Sequence, residues 1–210
     1  MDICIVLTGM PGSGKSDLAI ELEGMGYQHV SMSSALERYA QQRISTAQRW
    51  QLSHRLRTEH GSDFLARDIL ERAISSPCAV IDGARTLSEA AVFQSAATVF
   101  QLVAFQRPPA LRYARLRARG NNHYRHVASG TIDLDAHELV LGTAHLIAVA
   151  DYIYFSDAED GDPLRRSIAQ AAVLIHERAQ EQARRIRNGE PVATNRADYA
   201  SLQALVESGS

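Results

Sequence analysis

The sequence predicts an α/β fold, three layers deep, with helices on both faces of a five-stranded, mostly parallel sheet. Three observations predict it. Apolar, β-branched runs at residues 3–7, 78–81 and 98–105 show no polar alternation, the pattern of strands buried on both faces. Segments with helical spacing separate the strands in regular alternation, which makes each strand–helix–strand unit a parallel crossover. The 210 residues, 45% hydrophobic and 22% charged, suit a domain with a sizeable buried core.

Taken in order, Ile3, Cys4, Ile5, Val6 and Leu7 form the first strand, and a glycine-rich turn leads into a helix over 16–23 that stops near Gly24 and Gly26. Residues 27–32 read as a short second strand. Residues 34–43 read as a helix capped by Ser33 or Ser34, and 47–60 and 63–75 as two more helices. A strand at 78–81, a helix at 87–95 and a strand at 98–105 follow. Prolines at 108 and 109 open a helix that runs to 119, where proline is tolerated. Residues 120–132 are polar and irregular; 136–149 read as one helix, 152–155 as the fifth strand and 164–187 as a long terminal helix. The predicted organisation is a domain over 1–189, with a mobile segment at about 120–135, and a loosely attached tail over 190–210 with room for one short helix.

Composition narrows the function classes. The formal net charge is -2, without the overall positive field of a dedicated nucleic-acid binder. No apolar run reaches the ~18 residues a membrane span needs, and the N-terminus lacks a basic, cleavable leader, so a cytoplasmic protein is expected. Cys4 and Cys78 both sit in apolar runs and read as reduced thiols. Of 22 basic side chains only Lys15 is a lysine, and it stands where a compact three-donor ammonium is needed between phosphate oxygens.

Gly9, Met10, Pro11, Gly12, Ser13, Gly14, Lys15 and Ser16 match G-x-x-x-x-G-K-[ST] in full, after a strand and at the head of a helix. Glycines let successive N–H groups converge on phosphate oxygens, and the helix N-terminus adds unpaired donors and a favourable dipole. Lys15 is expected on the β- and γ-phosphates of ATP and the Ser16 hydroxyl on Mg²⁺. Cys78, Ala79, Val80 and Ile81 end in Asp82, the shape of a strand that delivers a carboxylate to the same magnesium. The fold class is therefore a P-loop NTPase.

From about residue 3 to 155 the layout resembles the nucleoside monophosphate kinase group, which includes adenylate kinase and dephospho-CoA kinase, and is closest to a dephospho-CoA-kinase-like family best known from archaea. Ile81-Asp82-Gly83-Ala84-Arg85 resembles an element whose arginine grips the acceptor phosphate in adenylate kinase. Leu111-Arg112-Tyr113-Ala114-Arg115-Leu116-Arg117-Ala118-Arg119-Gly120 resembles the arginine-rich helix that leads into a mobile lid. Gly61-Ser62-Asp63-Phe64-Leu65-Ala66-Arg67 and Ala148-Val149-Ala150-Asp151-Tyr152-Ile153 resemble segments of the dephospho-CoA-kinase-like family. The resemblance implies a kinase that uses ATP and Mg²⁺ on a small phosphate acceptor, and a monomer or homodimer is expected.

Lys15, Arg85, Arg115 and Arg119 are the expected catalytic cations, because arginines closing on a transferring phosphoryl group supply charge and bidentate hydrogen bonds. Arg112 shares their helix face and ranks behind them; Arg117 points elsewhere. Arg38, Asp63, Arg67 and Arg85 are the candidate acceptor contacts, although Asp63 and Arg67, four apart, equally suit a surface ion pair. Trp50 reads as packing, and His123 and His126 in the lid as solvated side chains. Two departures matter. Dephospho-CoA kinase has aspartates after the second strand, one placed to activate a hydroxyl, where Met32, Ser33 and Ser34 stand here. Glu37 occupies the neighbourhood of an adenylate-kinase arginine, with Arg38 beside it. A hydroxyl acceptor needs a positioned base and an ionised phosphate needs none. The leading expectation is therefore a nucleoside monophosphate-like acceptor. The alternatives are a kinase for a hydroxyl acceptor with Glu37 or Asp63 as base, and a nucleotide-binding switch with little transferase activity.

Overall fold

The computed structural model describes residues 1–42, 46–72, 74–119, 130–192 and 199–208. Its sheet has the strand order β2-β3-β1-β4-β5, formed by β1 (Ile3–Thr8), β2 (Gln28–Ser31), β3 (Cys78–Asp82), β4 (Val99–Gln106) and β5 (Tyr152–Phe155). All four pairings are parallel. The unbroken apolar runs have the expected cause: β1 is buried along its whole length, and alternate side chains feed two cores. Cys4 and Val6 join one core and Ile3, Ile5 and Leu7 the other. Cys4 and Cys78, on neighbouring strands, are both free thiols.

Helices cover both faces of this sheet. α1 (Lys15–Gly24) and α9 (Asp162–Arg187) cover one through Leu18, Leu22, Ile168, Ala172 and Ile175. The other face is covered by α2 (Met32–Ala40), α3 (Thr46–His60), α4 (Phe64–Arg72), α5 (Leu87–Ser95), α8 (Thr143–Ala148) and α10 (Tyr199–Ser208). α6 (Pro109–Ala118) and α7 (Gly130–Leu141) stand over the carboxyl end of the sheet, where ligands of such sheets bind.

Four expectations change. Residues 130–135, expected in the irregular mobile segment, open α7. Met32 belongs to α2 and not to the second strand, because Ser31 caps the helix by accepting from the Ser33 amide at 3.2 Å. The single helix expected over 136–149 is two, because Gly142 takes φ 104 and caps α8; a side chain there would also press on the Arg85 carbonyl oxygen. The segment beyond 190 is not a loose tail over the part described. Tyr199 is 1% exposed and packs edge-on to Phe100 at 5.7 Å, so α10 completes the core beside α5. The lid centre, with His123, Arg125 and His126, lies outside the described residues.

Candidate active site

β1 ends in Thr8, whose hydroxyl donates to the Ala84 carbonyl at 3.1 Å and ties the start of the phosphate loop to the end of β3. Gly12 (φ 79) and Gly14 (φ 114) take left-handed conformations. A Cβ on Gly12 would sit 2.8 Å from the Arg112 carbonyl oxygen, so α6 can approach only because that carbon is absent. Gly14 caps α1, whose first residue is Lys15; unpaired amides and the helix dipole therefore face the mouth of the loop.

Asp82, 7% exposed, faces the same mouth from the tip of β3. Burial pushes its carboxyl up, but the neighbouring His29, the charge of Lys15 and the Ser16 hydroxyl outweigh that and hold it below the usual aspartate value. Reciprocally, His29 is raised, foremost by Asp82, whose Oδ2 lies 3.9 Å from its Nε2. Asp82 Oδ1 is buried without a hydrogen-bond partner. An ionised carboxylate with a spare oxygen beside the Ser16 hydroxyl is the donor set a hard divalent cation takes when phosphate and water complete its shell. The residues therefore fit Mg²⁺, which would neutralise phosphate charge there.

A cleft of about 270 Å³ leads from Gly12, Gly14, Lys15 and Ser16 to Ser33, Arg49, Trp50, Ser53, Arg85, His137 and Glu138. Lys15 and Arg85 flank Gly83: a Cβ there would lie 4.0 Å from both the Lys15 Cε and an Arg85 terminal nitrogen. Arg85 is held at several points. Its amide donates to Glu89 at 2.8 Å, one terminal nitrogen donates to the Gly83 carbonyl at 3.1 Å, and Nε donates to both oxygens of Glu138 at 3.0 Å. Thr143 donates to Glu138 from the far side at 3.0 Å. Burial raises the Glu138 carboxyl, but Arg85 first and Lys15 next draw it down, and the net shift is below the usual glutamate value. At the outer end Arg49 pairs with Glu37 at 2.6 Å, and Trp50 stacks on His137 at 4.2 Å.

α6 delivers the remaining arginines. Arg115 and Arg119 both reach Asp17, one residue past Ser16, at 2.5 and 3.3 Å. One Arg115 terminal nitrogen is buried without a hydrogen-bond partner and lies 3.3 Å from where a Gly14 Cβ would stand, so that guanidinium abuts the phosphate loop. Arg112 serves the framework instead. It is buried, forks onto Asp135 at 2.9 and 2.7 Å, and donates to the Pro11 carbonyl at 3.0 Å, joining α6, α7 and the loop. A second cavity of about 450 Å³ opens on the outer side of Arg115 and Arg119, against Asp17, Ile20, Asp160 and Gly161; the buried Arg107 fixes that wall through Asp160 and the Ala158 carbonyl.

The structure thus gathers Gly9 to Ser16, Asp82, Arg85, Arg115 and Arg119 around one mouth. It does not bring Arg38, Asp63 or Arg67 there. Arg38 pairs with Asp68 at 3.1 Å, and Arg67 with Asp63 at 3.0 Å and with the His60 carbonyl at 3.1 Å, the surface-pair alternative. None of the three lines either cavity. The cleft is lined instead by Arg49, Trp50, His137 and Glu138. Trp50 lines the cleft besides packing, and Glu138 lies some fifty residues from Arg85 along the chain, with no local motif to mark it.

The fold and this site define a protein with a P-loop kinase-like fold. Residues 5–132 match the AAA domain family, to which the chain belongs. More narrowly, it is a member of the UPF0200 family. It is 33% identical over 155 residues to the UPF0200 protein of Sulfurisphaera tokodaii, covering 73% of this chain and 87% of that one. It is 33% identical over 171 residues to that of Thermococcus onnurineus, covering 77% and 92%. Among solved structures it resembles shikimate kinase from Bacteroides thetaiotaomicron, with TM-score 0.55, 17% identity and coverage of 83% of this chain and 98% of that one. It also resembles shikimate kinase from Acinetobacter baumannii in complex with shikimate, with TM-score 0.53, 14% identity and coverage of 86% and 94%. At these identities the likeness is one of fold. Among the described residues no helix is long and apolar enough to cross a membrane.

Proposed function

We propose that the protein is an ATP-dependent small-molecule kinase. One observation carries the reading: a single cleft joins the phosphate loop, with Lys15, Ser16 and nearby Asp82, to a second chamber lined by Arg49, Trp50, Arg85 and Glu138. A protein that only bound nucleotide would have no need of a polar chamber on the far side of the γ-phosphate position. ATP with Mg²⁺ occupies the loop; Lys15, Arg115 and Arg119 stabilise the in-line transfer, the two arginines after exchanging Asp17 for phosphate. The cavity outside Arg115 suits the nucleoside of the donor.

Two acceptor classes each have an observation in their favour. A nucleoside monophosphate-like acceptor is supported by two arginines and a flat indole in one chamber, partners for a phosphate and a base. A hydroxyl acceptor, for example dephospho-CoA or a nucleoside, is supported by the carboxylate of Glu138. The test is ADP release from ATP-Mg²⁺ across ribo- and deoxynucleoside monophosphates, dephospho-CoA, nucleosides and simple polyols, with Lys15→Ala as control. A rise with one compound, absent in the control, establishes the kinase. ATP binding with no Lys15-dependent turnover of any compound turns the reading to a nucleotide-operated switch.

A further inference from the structure

We infer that Glu138 is the proton acceptor of the reaction and that the acceptor substrate is therefore an alcohol; this rests on the kinase reading above. The sequence offers no carboxylate after the second strand, at Met32, Ser33 or Ser34, and that absence alone would favour a phosphate acceptor. The fold supplies the missing group from elsewhere. α7 places Glu138 in the cleft, within the field of Lys15, and the shift of its carboxyl agrees with a charged group at neutral pH. Its orientation is over-determined. Asp135, one turn earlier, anchors α7 to Arg112 and to the Tyr113 hydroxyl at 2.7 Å; His137 rests on Trp50; Thr143 and Arg85 hold the carboxylate from two sides.

The charges of the chamber point the same way. Arg85 is matched by Glu138 and Arg49 by Glu37, so the acceptor end is formally neutral as it stands. A dianionic phosphate arriving at Arg85 would meet a carboxylate already 3.0 Å from the same guanidinium and would have to expel it. An alcohol meets no such repulsion and needs an acceptor for its proton. Of the alternative bases, Asp63 and Glu37 line neither cavity, and Asp17 lies with Arg115 and Arg119 away from Arg85.

In the transfer step the alcohol oxygen forms a bond to the γ-phosphorus and its proton passes to a Glu138 oxygen. The bond from the γ-phosphorus to the bridging oxygen breaks, ADP leaves with that electron pair, and Glu138 returns its proton to water once the phosphorylated product departs.

Glu138→Gln keeps the size and removes the basicity, and Glu138→Asp restores it on a shorter arm. Both are assayed with Lys15→Ala in the compound panel and in plain buffer, where water is the smallest hydroxyl acceptor. ATP binding is followed separately through the fluorescence of Trp50, the only tryptophan of the chain, which lines the cleft. The expected result is an alcohol-dependent ADP release whose kcat falls roughly 10²–10⁴-fold in Glu138→Gln. It recovers in part in Glu138→Asp, while the ATP titration stays within about threefold of wild type. Slow hydrolysis by water falls in parallel. A monophosphate as the sole efficient acceptor, or alcohol turnover in Glu138→Gln within about fivefold of wild type, overturns the inference and leaves the kinase standing. No Lys15-dependent ADP release with any compound or with water, while ATP still binds, overturns both.

Discussion

Glu89 offers the sharpest test of how Arg85 is positioned. It is fully buried on α5, and its two oxygens serve three donors: Arg57 at 2.5 Å, the Arg85 amide at 2.8 Å and the Thr86 amide at 3.2 Å. The Thr86 hydroxyl accepts from the Glu89 amide in return, closing a capping box at the head of α5. Glu89→Ala leaves the Arg57 guanidinium, 7% exposed, without its counter-ion. Breaking a buried pair from one side costs about 3–5 kcal/mol. Arg57 keeps its contacts to Ser53, which favours the lower part of that range. For a chain of this size each kcal/mol lowers Tm by roughly 2–4 °C, so the variant should melt about 6–20 °C below wild type. Urea denaturation and calorimetry read this directly. Removing both charges with Arg57→Met and Glu89→Leu should recover the part of the loss due to the stranded guanidinium but not the part due to the Arg85 and Thr86 amides, which still lose their acceptor. A Glu89→Ala variant within about 1 kcal/mol of wild type, or a double variant no better than the single one, would refute the account.

Gly12→Ala puts a methyl against the Arg112 carbonyl at a left-handed residue. It should abolish ATP binding while lowering stability by about 1–3 kcal/mol, read by fluorescence titration and urea midpoint. Tyr199→Ala should cost about 3–5 kcal/mol if α10 is an integral part of the core; a change under about 1 kcal/mol would return that segment to the status of a tail. Because the folded-state pKa of Glu138 is depressed, its contribution to stability is present above the ordinary glutamate value of 4.5 and is lost as pH falls through the lower folded value. The stability difference between wild type and Glu138→Gln should therefore shrink on acidification below 4.5, and a difference independent of pH would show that the carboxylate is not held ionised by Arg85 and Lys15.

Much of the nucleotide half of the site is local, and local features are legible. The phosphate loop is eight consecutive residues whose glycines and lysine each have a steric or electrostatic reason to stand where they do. Asp82 ends an apolar run, and Arg115 and Arg119 lie one helical turn apart on α6. The other half of the cleft is not local. Arg38 and Arg67 are reasonable by resemblance, yet each meets a carboxylate on α4 or just before it, Asp68 or Asp63, and turns away from the cleft. Glu138 has no signal of its own along the chain. It becomes significant only because Gly142 breaks the helix and folds Thr143 back over a carboxylate that has met an arginine 53 positions away.

What the sequence determined by itself is the parallel sheet and the phosphate loop. Unbroken apolar runs can be buried only where both faces of a strand are covered, and a glycine-rich turn at a helix head binds anions wherever it occurs. What only the tertiary structure decided is the chamber beyond the phosphate loop. Its cations and carboxylates neutralise one another across three helices and a strand end, and which charge remains available depends on which partner lies within about 3 Å, a distance that spacing along the chain does not encode.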